Sequence, residues 1–182
     1  MQVILLSLAL VAQDPAYARV KQTAYARIAK AHAVAQDAQI VAFVAAKNAD
    51  PESLEEVHRK DAQWVASATF PLRRSLTQNE CAMRLRTLLA GDSIVVEALL
   101  MDDQGALVCA SVEPTDYWQG EEGKWTQTFQ AGKDPFVDEP ALDESTKEYA
   151  IQLSVPVSRD RRRIGALTLT LRLPRDAEGS TR

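Results

Sequence analysis

The side chains best suited to binding a small molecule stand together in one short segment, Thr115 to Trp125. Tyr117 and Trp118 offer flat apolar rings that also carry a hydroxyl and an indole N–H. The amide of Gln119 can both donate and accept hydrogen bonds. These residue types favour recognition of a polar organic group. Two adjacent aromatic residues serve equally well as core, so both interpretations stay open at this point.

Sequence patterns typical of catalysis are missing. His32 and His58 are isolated, and no zinc-binding histidine pair surrounds either of them. The sequence also has no phosphate-binding glycine loop, no dinucleotide fingerprint and no nucleophile elbow. We therefore expect a protein that is not an enzyme and that holds neither a cofactor nor a metal.

The charge balance argues against a nucleic-acid-binding protein. The chain has 182 residues and a formal net charge of −4, whereas a nucleic-acid surface normally shows a basic stripe. The one dense basic run, Arg159 to Arg163, lies between two predicted strands. We expect this run to form a solvated hairpin tip.

The two cysteines do not form a metal-binding pattern. Cys81 falls on a predicted helix and Cys109 inside a predicted strand, where free cysteine often behaves as a small buried hydrophobe. A single bridge between them is compatible with the sequence but not implied by it, because the sequence does not show whether the two side chains approach each other.

The N-terminus predicts export. Residues 3–12 form an apolar run of signal-peptide length, too short to cross a bilayer as a helix. Ala16 and Ala18 fit the small-x-small rule, so cleavage after Ala18 would release a protein that begins at Arg19. No Lys or Arg precedes the run, and the alternative that it forms the first turn of a helix stays open. We predict a periplasmic or secreted protein.

Helices are predicted to come first along the chain. Small and apolar residues recur every three or four positions from 18 to 48, which predicts one long alanine-rich helix able to approach a partner closely. A second helix is expected after an Asp50 cap, and a third after a capping box made by Thr77 and Glu80.

Strands are predicted to follow the helices. Gly105 closes a hairpin turn that begins at Asp102, because glycine accepts the positive φ that such turns need. A short helix is expected at 121–131 after the second strand. The predicted strands are 93–101, 106–112, 149–157 and 164–173, with a further short strand at 136–137.

The predicted class is α+β, with a long N-terminal helix, flanking helices and a five-stranded antiparallel meander. With the Asp102–Gly105 hairpin, the motifs Thr115–Glu122 and Asp143–Thr146, and the terminal strand pair around Ile164–Leu167, the chain resembles the Cache sensor domains. These PAS-like domains, also called PDC-type, lie outside the inner membrane of bacteria. The layout is similar to the single-Cache variety.

The resemblance implies a division of the chain into four parts. A signal peptide would occupy 1–18, an N-terminal helical region 19–74, the PAS-like sensor domain 75–173, and a flexible tail 174–182. The resemblance further implies a small ligand between the sheet and the segment that crosses over it. The residues carried over as ligand-binding are Tyr117, Trp118, Gln119, Asp143, Ser145, Tyr149 and Gln152.

The roles of Asp143 and Ser145 have an alternative that stays open. Asp143 and Ser145 would otherwise bond the local backbone as a turn. The arginine and aromatic signature of the amino-acid-binding family members is absent, so an amino-acid ligand is not implied. Arg84 and Arg86 on the third predicted helix are expected to face solvent rather than a ligand carboxylate.

The function implied is ligand sensing for signal transduction, without nucleic acid. A stand-alone module would bind a small organic ligand and signal through a separate membrane-bound protein, and it would dimerise through its N-terminal helix. The alternative is a ligand-free PAS-like module for protein–protein interaction or dimerisation. A pocket with convergent polar groups would favour the sensor, and a pocket filled by Tyr117 and Trp118 would favour the interaction module.

Overall fold

A computed structural model describes residues 15–143 and 148–172, and the side chain of Asp143 is not described. In these ranges no helix is long and apolar enough to cross a membrane. The predicted apolar run at 3–12, Ser145 and the predicted tail lie outside the described residues. In the described part of the chain, six helices precede the first strand: α1 (Pro15–Tyr25), α2 (Ile28–Ala35), α3 (Ala38–Ala49), α4 (Leu54–Ala66), α5 (Pro71–Gln78) and α6 (Glu80–Leu89).

The single helix predicted for 18–48 is wrong, because the chain breaks it twice to give α1, α2 and α3. Asp37 leaves the helical conformation, with φ −59° and ψ 130°, and its Oδ1 caps α3 by accepting from the N–H groups of Gln39 and Ile40. Arg84 of α6 holds the same carboxylate. The break changes which side of the chain is buried, since Ile40 and Val44 are fully buried in α3 whereas Ala38, three residues after the buried Ala35, is exposed.

The other predicted helix starts are displaced by a few residues. Ser53, not Asp50, caps α4 by accepting from the N–H of Glu56. Asn79 caps α6, and the Thr77 hydroxyl instead donates to a carbonyl within α5. In both cases a neighbouring small polar residue with extended backbone offers an equivalent cap, which local pattern does not distinguish.

The sheet is antiparallel, which confirms the predicted α+β class. Its strands are β1 (Val95–Met101), β2 (Leu107–Ala110), β3 (Phe136–Val137), β4 (Ala141–Asp143), β5 (Glu148–Arg159) and β6 (Arg162–Arg172). The strand order is β2-β1-β6-β5-β3, and β4 also pairs with β5. A short helix α7 (Gly123–Trp125) continues into a π-helical turn at Thr126–Gln130 between β2 and β3.

The sheet differs from the predicted five-stranded meander in two ways. β1 lies between β2 and β6, so the last strand returns to the first instead of adding to the edge. The outer edge is split, because β3 and β4 pair with successive stretches of β5 around Ser154 and Ala150. Pro140 stands between the two short strands, and a residue without an N–H interrupts a ladder.

Both predicted hairpin turns are present. Gly105 has φ +81°, and the Asp102 Oδ1 atom accepts from the N–H groups of Gln104 and Ala106. The tip between β5 and β6 places Asp160 and Arg161 at positive φ, and the whole basic run is exposed as predicted.

Alternation gives the three central strands two different faces. One face, called here the helix face, is covered by α1, α2, α3 and α6. Its central rows are aliphatic, with Ala98, Leu169 and Leu153 side by side across β1, β6 and β5. The opposite face, called here the cleft face, is covered by α4 and by the crossing segment, residues 113–130.

The alanine-rich stripe of the leading helices belongs to the core of the same chain. Ala24, Ala31 and Ala35 are fully buried with the aliphatic rows of the helix face. Small side chains let α1 and α2 lie close to the strands. The stripe is therefore not available as the dimer surface for which it was predicted.

The two cysteines are joined in a disulfide. Cys81 on α6 and Cys109 on β2 have Cα atoms 5.9 Å apart and are both buried within the helix face. The preferred sequence interpretation, two free buried cysteines, is wrong. The bridge ties a helix to the edge strand across 28 residues of sequence.

Candidate functional site

A cleft of about 410 Å³ opens on the cleft face of the sheet. Its floor is formed by Glu97 and Leu99 of β1 and by Gln152 of β5. Its wall is the start of the crossing segment, residues 113–116, together with Gln119, Glu122 and Lys124. The volume is within the range of small-molecule sites.

The floor of the cleft is polar because one row of the sheet is polar. Glu97, Thr170 and Gln152 stand side by side across β1, β6 and β5. The Thr170 hydroxyl donates to Glu97 Oε2 at 2.8 Å. In the next row, the hydroxyls of Ser154 and Thr168 are buried and bond each other at 2.9 Å. Buried polar rows of this kind are unusual under a covering layer, since each polar group must find a partner.

Helix α4 holds the wall of the cleft in place. The Asp61 Oδ1 atom accepts from the backbone N–H groups of both Tyr117 and Trp118, at 2.9 Å each. The Trp64 indole donates to the carbonyl of Pro114 at 3.1 Å. The wall is thus positioned by side chains that do not themselves line the cleft.

The Tyr117 and Trp118 rings, predicted as ligand walls, are engaged in packing. Tyr117 is 1% exposed and stacks on Trp64 with ring centroids 6.1 Å apart. Burial raises the pKa of its hydroxyl. The Trp118 indole donates to the carbonyl of Gln104 at 2.8 Å, and its ring meets that of His58 at 4.3 Å. Neither residue is among those lining the cleft, and their contact with a ligand stays a prediction.

Gln119 lines the cleft, and one of its polar atoms has no hydrogen-bond partner among the described residues. The residue is 1% exposed, and its Nε2 donates to the carbonyl of Asp116 at 2.9 Å. A carbonyl only accepts, so this bond fixes which end of the amide carries the nitrogen. The Oε1 atom is buried and has no partner among the described residues. A ligand group that donates a hydrogen bond to an unsatisfied buried acceptor gains binding free energy, because it removes the cost of leaving that acceptor unpaired.

The cleft has more negative than positive groups. Its lining includes four carboxylates, those of Glu97, Glu113, Asp116 and Glu122, against the single ammonium of Lys124. Lys124 is 6% exposed, and its Nζ lies 2.9 Å from Glu122 Oε2.

Arg84 and Arg86, the two arginines considered on the third predicted helix, do not line this cleft. Arg84 pairs with Asp37, and Arg86 donates to the carbonyls of Thr77 and Ser111. Both are used to fix α6 to its neighbours, and neither offers a guanidinium to a ligand in the cleft.

Of the other predicted site residues, Gln152 lines the cleft and Tyr149 does not, while Ser145 and the side chain of Asp143 lie outside the described part of the chain. Tyr149 and Gln152 are three positions apart on β5, so their side chains point to opposite faces. Tyr149 packs with the helix-face core, and its ring meets Tyr17 of α1 at 5.9 Å. Asp143 is the last residue of β4. The structure therefore unites Gln119 with Gln152, and places Tyr149 elsewhere.

Most residues of the cleft were missed in the sequence, among them the charged residues Glu97, Asp116 and Lys124. Glu97 is the one charged residue in a strand that otherwise reads as apolar, and an isolated charge inside a strand was the available indication. Asp116 and Lys124 flank the aromatic pair, but nothing in their spacing distinguishes them from solvated loop residues. Within the described ranges, no three His, Cys, Asp or Glu side chains are grouped as a metal site requires.

Comparison with known proteins gives likenesses of fold. No protein-family model matches the sequence, and no curated protein matches it. The ligand-binding domain of the amino-acid chemoreceptor PctC of Pseudomonas aeruginosa, solved with GABA, is 18% identical at a TM-score of 0.42. That match covers 61% of this chain and 54% of the receptor domain.

Two further solved structures are similar. The ligand-binding domain of the Pseudomonas fluorescens chemoreceptor CtaA, solved with L-valine, is 13% identical at a TM-score of 0.45, over 84% of this chain and 54% of that one. The sensor domain of the V. cholerae histidine kinase DctB is 14% identical at a TM-score of 0.41, over 91% of this chain and 54% of that one.

The chain spans about half the length of these solved structures. They are Cache-type sensor domains, the type that the sequence resembles, while the single-Cache variety stays a prediction. At these identities and TM-scores the likeness carries no argument about function.

Proposed function

We propose that this protein is a small-molecule-binding sensor module whose ligand occupies the cleft between the sheet and the crossing segment. The observation that carries the proposal is the meeting of Gln119 and Gln152, with Glu97, around one cavity on the polar row of the sheet. Two amides and a carboxylate from three separate elements converge there. Their convergence supports binding because a merely structural layer would gain more from aliphatic residues.

Binding without catalysis fits the chemistry of the cleft. Its polar lining consists of amides, a hydroxyl, carboxylates and the ammonium of Lys124, and no cysteine or histidine of the described part of the chain lines it. The amides offer directional hydrogen bonds and no group that exchanges protons near neutral pH. The proposed role is therefore recognition, with the signal passed to a separate membrane-bound protein.

An extracytoplasmic location is supported by the disulfide between Cys81 and Cys109. Bridges of this kind persist in oxidising compartments such as the periplasm. The proposed cleavage after Ala18 would fall inside α1 and would remove Tyr17, whose hydroxyl bonds Glu139. Mass spectrometry of the exported protein would give the first residue directly, with Arg19 expected.

A homodimer, if formed through the leading helices, would use their outer surface. The alanine stripe is occupied by the sheet of the same chain. Exposed residues such as Tyr25 remain on the outside of α1, where its side chain is 55% exposed. Light scattering of wild type and Tyr25→Ser would test this arrangement.

A thermal-shift screen tests the proposed function. The purified protein is exposed to carboxylates, amines, amino acids and purines, since a ligand of the native state raises the melting temperature with increasing concentration. We expect one class of ligand to give a saturable rise in the melting temperature. Gln152→Ala should abolish this rise. Gln63→Ala, which changes an exposed glutamine on α4, should retain it. A shift that survives Gln152→Ala would place the ligand elsewhere.

A second candidate is the ligand-free interaction module. The packing of Tyr117 against Trp64, and of Trp118 against His58, favours it, because these rings fill the space next to the cleft. Absence of any shift across all ligand classes, together with dimers in light scattering, would support this second function.

A further inference from the structure

We infer that the ligand of the cleft is a small organic amine bound as its ammonium cation, an inference that rests on the proposed function. Gln119 lines the cleft, and its Oε1 atom is a buried acceptor without a partner among the described residues. Because the Nε2 of the same amide is already bonded to the Asp116 carbonyl, this residue lacks a hydrogen bond that only a donor can supply. An ammonium group carries up to three donors and no acceptor.

The charges around the cleft have the sign that a cation needs. Glu113 is paired with Arg73, and Glu122 is paired with Lys124. Glu97 and Asp116 have only hydroxyl partners, Thr170 and Thr115, and neither carboxylate has a cationic group within 4 Å among the described residues. Two carboxylates without a counter-charge therefore line the same cavity as Gln119, the residue whose amide oxygen has no partner among the described residues.

Anionic and zwitterionic ligands are disfavoured by the same lining. Among the described residues no arginine lines the cleft, and the one lysine that does, Lys124, is buried and paired with Glu122. A ligand carboxylate would meet Glu97 and Asp116 without a free guanidinium or ammonium to balance it. Like charges brought together in a partly desolvated site oppose binding.

An inorganic metal ion fits less well than an organic cation. Glu97 lies on the sheet floor and Asp116 on the wall, and no group of three metal-ligating side chains exists in the described part of the chain. The cleft volume of about 410 Å³ instead accommodates an amine with a short carbon chain over the side chain of Leu99.

Calorimetric titration of the protein with matched four-carbon probes tests the inference. The probes are butylamine, 1,4-diaminobutane, butyrate and butanamide, with calcium chloride as the inorganic cation. We expect the two amines to bind, the diamine more tightly, and the affinity to fall as salt is raised, because the attraction is screened. Butyrate and calcium are expected to give no saturable heat.

Charge-neutral variants locate the bound amine. Asp116→Asn and Glu97→Gln each remove one charge at nearly constant shape, and each is expected to weaken butylamine binding by roughly tenfold or more. Glu121→Gln, an exposed acid in the same segment outside the cleft lining, is the matched control and is expected to leave the affinity unchanged. Circular dichroism confirms that each variant is folded.

Two results would overturn the amine class. One is saturable binding of butyrate, butanamide or calcium that is abolished by Gln152→Ala. That result would confirm the cleft as a binding site but give it a ligand of a different class. The other is failure of both amines to bind below about 1 mM, or binding that Asp116→Asn and Glu97→Gln leave intact. The broad thermal-shift screen separately decides whether the cleft binds anything.

Discussion

The helix face and the cleft face are formed by the same three central strands, but the cleft face carries polar rows beside its apolar cluster, whereas the central rows of the helix face are aliphatic. Leu153, Leu167 and Leu169 on the helix face are fully buried. On the cleft face, the residues that alternate with these leucines along β5 and β6 include Gln152, Ser154 and Thr168, whose polar groups need hydrogen-bond partners. The difference separates the two tasks of the domain, since one face stabilises the fold and the other can be open to a ligand.

The largest expected effect comes from truncating the helix face. Leu169→Ala removes a fully buried side chain in the central strand β6 and should lower the free energy of unfolding by about 2–5 kcal/mol. Thr170→Ala, the neighbouring position on the cleft face, is half-buried and should lower it by less than about 1 kcal/mol. Urea unfolding of both variants measures the difference, and equal losses would remove the proposed division between the faces.

Removal of the disulfide should follow in size. Cys81→Ala with Cys109→Ala opens a loop of 28 residues, which should lower the free energy of unfolding by about 3 kcal/mol. The bridge lies within the helix face, so ligand affinity at the cleft should remain as in the wild type. A double variant that unfolds at the wild-type urea concentration, or loses ligand affinity while folded, would contradict this placement.

A pH-dependent effect is expected from the end of β1. Asp102 is 4% exposed, the Trp125 indole donates to its carbonyl, and burial raises the pKa of its carboxyl from 3.8 to about 6. The folded state therefore binds this proton more tightly than the unfolded state does. This difference in pKa contributes about 2–3 kcal/mol to the free energy of unfolding. The contribution is complete below about pH 4 and is lost as the pH rises through about 6.

The Asp102→Asn variant isolates that contribution. It keeps the oxygen that accepts from Gln104 and Ala106 but cannot ionise. Other carboxylates such as Asp37, Asp92 and Glu52 have lowered pKa values and act in the opposite sense, so the measured quantity is the difference between wild type and variant from pH 4 to 7. A constant difference across this window would show that Asp102 does not titrate there.

The smallest expected effect on stability comes from the cleft floor. Gln152→Ala should change the free energy of unfolding by less than about 0.5 kcal/mol, because the side chain is half-buried and borders a cavity. The same change should abolish ligand binding. A loss of stability as large as that of Leu169→Ala would instead mark Gln152 as part of the core.

Much of the sheet could be predicted, because the alternation of residues between the two faces of a strand is visible in a few consecutive positions of the sequence. The period of two in β5 predicted which of its residues share the aliphatic face, and Gly105 predicted the first hairpin. The break at Asp37 could not be read from local pattern, because it depends on Arg84, which is 47 residues away in sequence. The pairing of Cys81 with Cys109 depends in the same way on tertiary approach.

The candidate site was predicted in part. Gln119 and Gln152 do meet at one cleft, but Tyr149 was assigned to the same side although its odd spacing from Gln152 places it on the other face. The aromatic pair lies in the segment that forms the wall of the cleft, but its rings pack against Trp64 and His58 and do not line the cleft. Trp118 is bound to Gln104, a contact between loops that the residue types alone do not indicate.

The most direct test of the cleft as the binding site is an NMR titration that follows side-chain amide resonances. On addition of the ligand that gives the largest thermal shift, the amide signals of Gln119 and Gln152 should move together and saturate at one dissociation constant. Those of Gln39 and Gln63, which are exposed on α3 and α4, should stay in place. Saturating changes confined to residues around Tyr17 and Tyr149, with both cleft glutamines unmoved, would contradict the account.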